Sequence, residues 1–221
     1  MLSEVSKEKG TPSMFITRNV PYLLNFVPIC SGRMVVNMLN WDALINECSN
    51  CTKCELHKNR TNVVIGRGNI NAPIMLIGEG PGQQEDKQGV PFVGAAGKLL
   101  DLLLKAHEIS SNMYYICNIV KCRPPNNRAP FDEEAFQCLN YLRNQLKLVN
   151  PKIIVCLGAT ATKYTIDKNE KITNIRGQWI ERKGFWFMPT FHPAALLRDE
   201  SKKELIWSDF KKVKQKVIEI K

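Results

Sequence analysis

The chain has 221 residues, of which 44% are hydrophobic and 24% charged, and this composition excludes a mainly disordered or collagen-like protein. Its 31 Lys and Arg residues outnumber its 21 Asp and Glu residues, and the net charge of +10 favours a polyanionic partner without proving one. No apolar run approaches the roughly 20 residues of a membrane span, so we expect no integral membrane protein. The run Val20–Cys30 is interrupted by two prolines and by Asn25, so we expect no secretion signal.

Residues 1–37 differ in pattern from the rest of the chain. They show no sustained helical or alternating periodicity, and Met34 and Met38 are both available as internal start positions. We therefore expect a loosely ordered N-terminal extension over residues 1–37 and a single domain over residues 38–221.

From residue 38 onward, helical and strand-like segments alternate. The predicted elements are, in chain order, a helix over Met38–Glu47, a strand over Ile74–Gly78, a polar loop over Gln83–Gly94, a helix over Gly97–His107, a strand over Met113–Val120, a helix over Asp132–Leu148, a strand over Lys152–Leu157, a short helix after Gly158, a strand over Phe185–Met188 and a helix over Lys203–Ile220. This alternation predicts an α/β fold with a parallel, four-stranded sheet covered on both faces by helices.

Ligands of such sheets bind beyond the carboxyl ends of the strands. The segments that follow the four predicted strands are Glu79–Gly82, the residues from Asn118 onward, Gly158–Ala159 and Thr190–Pro193. We expect the chemistry of the protein to lie in these segments.

The eight cysteines, in a chain without a predicted secretion signal, indicate metal binding or catalysis rather than disulfides. The two thiolates of Cys51-x2-Cys54 can bind one metal centre. Cys122 and Cys138 bring the number of thiolate ligands to four, which suits either Zn²⁺ or an iron–sulfur cluster. Cys48 extends the pair to a ferredoxin-like run, but we favour Cys51 and Cys54 because they directly precede Leu56 and Arg60. Cys48 is then a spare thiol at a helix end, and Cys117 and Cys156, which lie within apolar runs, are predicted to be hydrophobic core residues.

Five separated blocks together resemble the signature motifs of family 4 uracil-DNA glycosylases. The blocks are Cys51-x2-Cys54-x-Leu56-x3-Arg60, Gly78-Glu79-Gly80-Pro81-Gly82, Gly89-x-Pro91-Phe92-Val93-Gly94, Asn118-Ile119-Val120-Lys121-Cys122-Arg123-Pro124-Pro125 and His192-Pro193-Ala194. They occur in order between about residues 48 and 198.

The resemblance implies a three-layer α/β/α sandwich and a [4Fe–4S] cluster on Cys51, Cys54, Cys122 and Cys138. It implies a DNA-repair enzyme that flips uracil out of DNA and hydrolyses its N-glycosidic bond, leaving an abasic site. It also implies a cytoplasmic protein whose partner is uracil-containing DNA, single- or double-stranded. We expect a monomer, and a sliding clamp is a candidate further partner.

The resemblance also implies roles for individual residues in the uracil pocket. Phe92 would stack on the flipped base, and the Asn118 amide would donate to uracil O4 and accept from N3–H. His192 would donate to uracil O2, where negative charge develops as the bond breaks. The backbone of Glu79, Gly80 and Pro81 would line the same pocket.

The resemblance leaves the general base and the DNA wedge open. Gly80 and Gly82 stand where the family 1 enzymes carry an Asp that activates water and a Tyr that excludes thymine, so Glu79 and Glu85 are the candidate bases. The wedge that fills the vacated base stack is expected among the three residues that follow the histidine block, namely Leu196, Leu197 and Arg198.

Two other functions compete with uracil excision. The first is a relative of the same fold that removes hypoxanthine or other deaminated bases, because an Asn amide can flip. The second is a non-catalytic zinc or iron–sulfur module that binds single-stranded DNA and would not need Asn118 or His192.

Overall fold

The computed structural model describes Leu23 and residues 39–220. The predicted N-terminal extension over residues 1–37 therefore lies outside the described residues apart from Leu23, whose side chain is fully buried. Within the described part of the chain, no helix has both the length and the apolar character of a membrane-spanning segment.

The described residues form an α/β structure with six strands and seven α-helices. The strands are β1 Arg67–Gly68, β2 Ile74–Gly78, β3 Tyr114–Asn118, β4 Ile153–Leu157, β5 Ile180–Arg182 and β6 Phe185–Thr190. The α-helices are α1 Trp41–Ser49, α2 Gln83–Gln88, α3 Ala95–Ala106, α4 Asp132–Val149, α5 Ala159–Thr165, α6 Ile172–Ile175 and α7 Lys203–Glu219. Short 3₁₀ turns cover Glu55–Lys58, Ser111–Met113, Pro125–Asn127, Pro193–Ala195 and Glu200–Lys202.

The six strands form one sheet in the order β1-β3-β2-β4-β6-β5. The four central strands are parallel, while β1 and β5 pair antiparallel at the two edges. The parallel core is the predicted four-stranded sheet, but the complete sheet has six strands. Both additional strands are short and incompletely buried, so they lack the apolar run by which the other four were predicted.

Alternate side chains of the central strands enter two separate hydrophobic layers. Met75, Ile77 and Cys117 face a layer that includes residues of α1, α4 and α5, whereas Leu76, Ile116 and Val155 face α3 and α7. The fold is therefore the predicted three-layer α/β/α sandwich. Continuous apolar strands are expected in this architecture because both faces of the sheet are covered.

The parallel register aligns the carboxyl ends of the central strands. Gly78 at the end of β2 is opposite Asn118 at the end of β3, and Leu157 at the end of β4 is opposite Thr190 at the end of β6. The segments that follow these four residues leave the sheet at one edge.

Candidate active site

A cavity of about 540 Å³ opens at the carboxyl edge of the sheet, which is within the size range of small-molecule sites. It brings together side chains and backbone that are more than a hundred residues apart in the sequence. All the predicted uracil-binding residues line it, namely Glu79, Gly80, Pro81, Phe92, Asn118 and His192. The cavity is also lined by Glu85 and Arg198.

Asn118 lines this cavity and carries an unsatisfied polar atom. The residue is 2% exposed, and its side-chain Oδ1 is buried without a hydrogen-bond partner in the described structure. A buried acceptor without a partner costs about 1–3 kcal/mol, so an N–H donor from a ligand would recover that free energy. The position of the amide depends on Gly78, since a Cβ there would lie 2.4 Å from Asn118 Oδ1 and 2.7 Å from Phe92 Cζ.

Phe92 is held in a backbone conformation that aromatic residues rarely adopt. Its φ is +56°, and only 5% of the residue is exposed. The Phe92 backbone is closely packed, since a Cβ at Gly97 would lie 2.0 Å from its carbonyl oxygen. The Phe92 ring lies 5.6 Å from the His192 ring at an angle of 26°, on the cavity side.

Glu85 lies in α2, a six-residue helix of polar sequence that was predicted as loop. Its Oε1 accepts hydrogen bonds from the Val93 amide at 3.0 Å and from the Gly94 amide at 2.8 Å. The carboxylate therefore fixes the backbone that directly follows Phe92.

The Glu79 carboxylate is bound by a side chain rather than by backbone amides. Thr160 Oγ1, in the first turn of α5, donates a hydrogen bond to Glu79 Oε2. Thr160 was not predicted as a site residue, because the contact joins positions 81 residues apart and no local motif marks it.

His192 follows β6 and is oriented by its own backbone turn. The Ala194 amide donates to Nδ1 at 3.1 Å, so in the neutral ring the proton is on Nε2. Burial lowers the pKa of His192 from 6.5 to about 4, with a further lowering by the charge of Arg198 and an opposing effect of Glu85. At neutral pH the ring is therefore an uncharged donor.

The three predicted wedge residues occupy different environments. Leu196 packs against the core layer that contains α3 and α7, Leu197 is 57% exposed, and Arg198 lines the cavity. Of the two leucines, only Leu197 has a largely exposed side chain.

Arg128 is a cavity residue that sequence reasoning missed. Its guanidinium makes two hydrogen bonds to the Glu134 carboxylate, at 2.7 and 2.8 Å. Glu134 also accepts from the Phe131 amide at the start of α4. The only sequence signal near Arg128 is the acidic first turn of α4. This turn predicts the start of a helix, but it does not identify Arg128 as the partner of Glu134.

The predicted metal ligands line a second, smaller cavity beside α1 and α4. Cys51, Cys54, Cys122 and Cys138 all face it, and so does Cys48. Among the described residues, no three His, Cys, Asp or Glu side chains form a group that could hold a single metal ion. By contrast, Cys117 and Cys156 are fully buried in the core, as predicted.

Arg60 joins two of the cysteine segments. Its guanidinium donates to the Cys51 carbonyl at 2.8 Å, to the Ser49 carbonyl at 3.0 Å and to Cys122 Sγ at 3.4 Å. Burial raises the pKa of the Cys122 thiol, whereas the hydrogen bond from Arg60 lowers it. These contacts account for the spacing of Cys51, Leu56 and Arg60, because the turn that contains the buried Leu56 returns Arg60 to the cysteines.

The fold and the first cavity define an α/β protein with its ligand site at the carboxyl edge of a parallel sheet. Comparison with known proteins specifies the family. A family model described as "Uracil DNA glycosylase superfamily" matches residues 65–214. The chain belongs to this superfamily.

Several relatives are similar over most of their length. The chain is 49% identical to a type-4 uracil-DNA glycosylase of Thermotoga maritima over 168 residues, covering 74% of this chain and 88% of the relative. It is 44% identical to a type-4 enzyme of Sulfurisphaera tokodaii, covering 78% and 82%, and 42% identical to one of Archaeoglobus fulgidus, covering 80% and 92%. The resemblance predicted from the five motifs is confirmed.

Proposed function

We propose that the cavity at the carboxyl edge of the sheet receives a uracil flipped out of DNA, and that the surrounding residues hydrolyse its N-glycosidic bond. The chain is a DNA-repair glycosylase of the uracil-DNA glycosylase superfamily, a hydrolase that leaves an abasic site. The observation that carries the proposed mechanism is the buried, unpartnered Asn118 Oδ1 in the cavity wall.

Asn118 would read the edge of the base. Its Oδ1 would accept from uracil N3–H, and its amide group would donate to uracil O4. Cytosine presents an acceptor at N3 and a donor at N4, so it would leave Asn118 Oδ1 unpaired at a cost of about 1–3 kcal/mol per buried group.

Phe92 would support the face of the base. Its strained backbone and the hydrogen bonds from Val93 and Gly94 to Glu85 favour a fixed ring position before DNA binds. We therefore assign Glu85 to positioning rather than to proton transfer.

His192 would stabilise the departing uracil. Negative charge develops on uracil O2 as the bond breaks, and the neutral Nε2–H would donate to that oxygen as an oxyanion hole does. The hydrogen bond from the Ala194 amide to Nδ1 supports the tautomer that is protonated at Nε2.

Glu79 is the candidate that we retain for the attacking water. Thr160 binds one carboxylate oxygen, which supports a fixed orientation in which the other can accept a proton from water or stabilise the cationic sugar. Leu197 is our candidate for the wedge, because its exposed side chain follows directly on the histidine block.

The second cavity is suited to a [4Fe–4S] cluster on Cys51, Cys54, Cys122 and Cys138. Four thiol groups from three separate segments surround one space, and Arg60 donates to one of the sulfur atoms. The cluster, when bound, would supply a structural crosslink rather than electron transfer, since hydrolysis of a glycosidic bond involves no change of oxidation state. Recruitment by a sliding clamp, the monomeric state and a cytoplasmic location stay predictions.

A base-excision assay tests the proposed function. Purified protein is incubated with labelled oligonucleotides that carry one uracil, thymine, hypoxanthine or cytosine, and alkali then reveals abasic sites. We expect cleavage at uracil alone. Cleavage at hypoxanthine would favour the relative of other specificity, and DNA binding without any cleavage would favour the non-catalytic module.

A further inference from the structure

Lys121 is a buried cation without a buried anion beside it. The residue is 1% exposed, in the turn that follows β3. Among the described residues, no Asp or Glu carboxylate forms an ion pair with its ammonium. A buried ammonium is stabilised by a hydrogen-bond acceptor and by a negative group nearby.

The negative group is expected in the cysteine cavity. Lys121 lines this cavity together with Cys122 and Cys138, and its backbone amide donates to Cys138 Sγ at 3.3 Å. Four thiolates outweigh the charge of an iron–sulfide core, so a loaded site would be a net anion.

Lys121 also contacts a residue of the proposed uracil site. Lys121 Nζ donates to the backbone carbonyl of Asn118 at 2.6 Å. The turn between the two residues is tied to the wall of the first cavity, because the amides of Ile119 and Val120 donate to the carbonyls of Gly78 and Glu79. The ammonium thus touches the main chain of the residue that we propose to read the base.

We propose that Lys121 is a positioning residue that links the two sites: its ammonium offsets the negative charge of the cysteine-bound group and holds the Asn118 backbone in the uracil-reading position. This inference rests on the proposed function. It implies that the reduction potential of the bound cluster and the position of Asn118 both depend on the Lys121 side chain.

The test compares Lys121→Met, which removes the charge and the donor, with Lys121→Gln, which removes the charge but keeps a donor group. Each purified variant is assayed for iron and sulfide content, for the reduction potential of the cluster, and for single-turnover release of uracil. The matched control is Lys152→Met, which removes one positive charge from an exposed residue directly before β4 that lines neither cavity.

We expect a more negative reduction potential in both Lys121 variants, because a positive charge near the cluster is lost. We expect uracil release by Lys121→Met to fall by about 10–100-fold, which is the usual effect of removing a supporting contact of this kind. Lys121→Gln should retain more of the activity, and Lys152→Met should match the wild type in both measurements.

An unchanged potential in both Lys121 variants, or uracil release at the wild-type rate by Lys121→Met, would overturn the proposal. If Lys121→Met does not fold, Lys121→Gln is used instead. An unchanged reduction potential or a wild-type rate of uracil release in Lys121→Gln would then overturn the proposal. Failure of the proposed function is recognised separately, since the wild-type protein would then release no uracil or contain no cluster.

Discussion

His192 carries the main catalytic contact of the proposed mechanism. His192→Ala removes the donor to uracil O2, and we expect the single-turnover rate of uracil release to fall by about 10²–10³-fold, as when one oxyanion-hole donor is lost. The matched control is His107→Ala, since His107 is also buried but packs against Trp207 outside the cavity. The control should lose stability and keep its rate, so equal rate losses in both variants would contradict the assignment.

The pKa of His192 predicts a specific pH dependence. Because the folded pKa lies near 4 and the ordinary value is 6.5, the unfolded chain binds a proton in this interval and the folded chain does not. The contribution of His192 to stability is therefore complete above pH 6.5 and is lost as the pH falls towards 4. We expect an NMR titration of the His192 ring to show no transition between about pH 8 and about pH 5, whereas a midpoint near 6.5 would show that the ring is not desolvated.

At the scale of single elements, the end of β2 sets the spacing of the site. Gly78→Ala would place a Cβ 2.4 Å from Asn118 Oδ1, so the amide or the strand must shift. We expect a loss of about 10²-fold in uracil release, because small misplacements of binding groups cost this much.

The control for this substitution is Gly184→Ala in the β5–β6 turn. Gly184 has a φ of +80° and open space around its Cβ position, so the change strains the backbone without touching the cavity. We expect a loss of stability of about 1–2 kcal/mol and an unchanged rate. A Gly78→Ala variant that excises uracil as well as Gly184→Ala does would contradict the close approach.

The elements also show what a sequence can and cannot predict. The central strands could be predicted because each is rich in consecutive apolar residues, and the strand ends then located the site. β1 and α2 could not, since a two-residue edge strand and a six-residue polar helix carry no hydrophobic period. The contacts of Thr160 with Glu79 and of Lys121 with Asn118 were also missed, because side-chain pairing within a folded turn or across the sheet has no local motif.

At the scale of the whole molecule, the cysteine cavity joins the N-terminal part of the domain to the sheet and to α4. Cys138→Ser removes one proposed ligand, and we expect loss of bound iron and a fall in melting temperature of roughly 10 °C, since structural metal groups contribute several kcal/mol of folding free energy. Cys117→Ser is the matched control, because Cys117 is fully buried but lies in β3 away from the cavity. Iron content and thermal unfolding are measured for both variants. Retention of iron by Cys138→Ser would refute the ligand set.

In the proposed mechanism, the buried Asn118 amide selects uracil over cytosine. The most direct measurement is the single-turnover release of uracil and of cytosine from otherwise identical oligonucleotides, by the wild-type protein and by Asn118→Ala. We predict release of uracil without release of cytosine by the wild type, and a loss of about 10²–10³-fold in uracil release by the variant. Comparable release of cytosine by the wild type, or a near-normal uracil rate in Asn118→Ala, would show that Asn118 does not select the base.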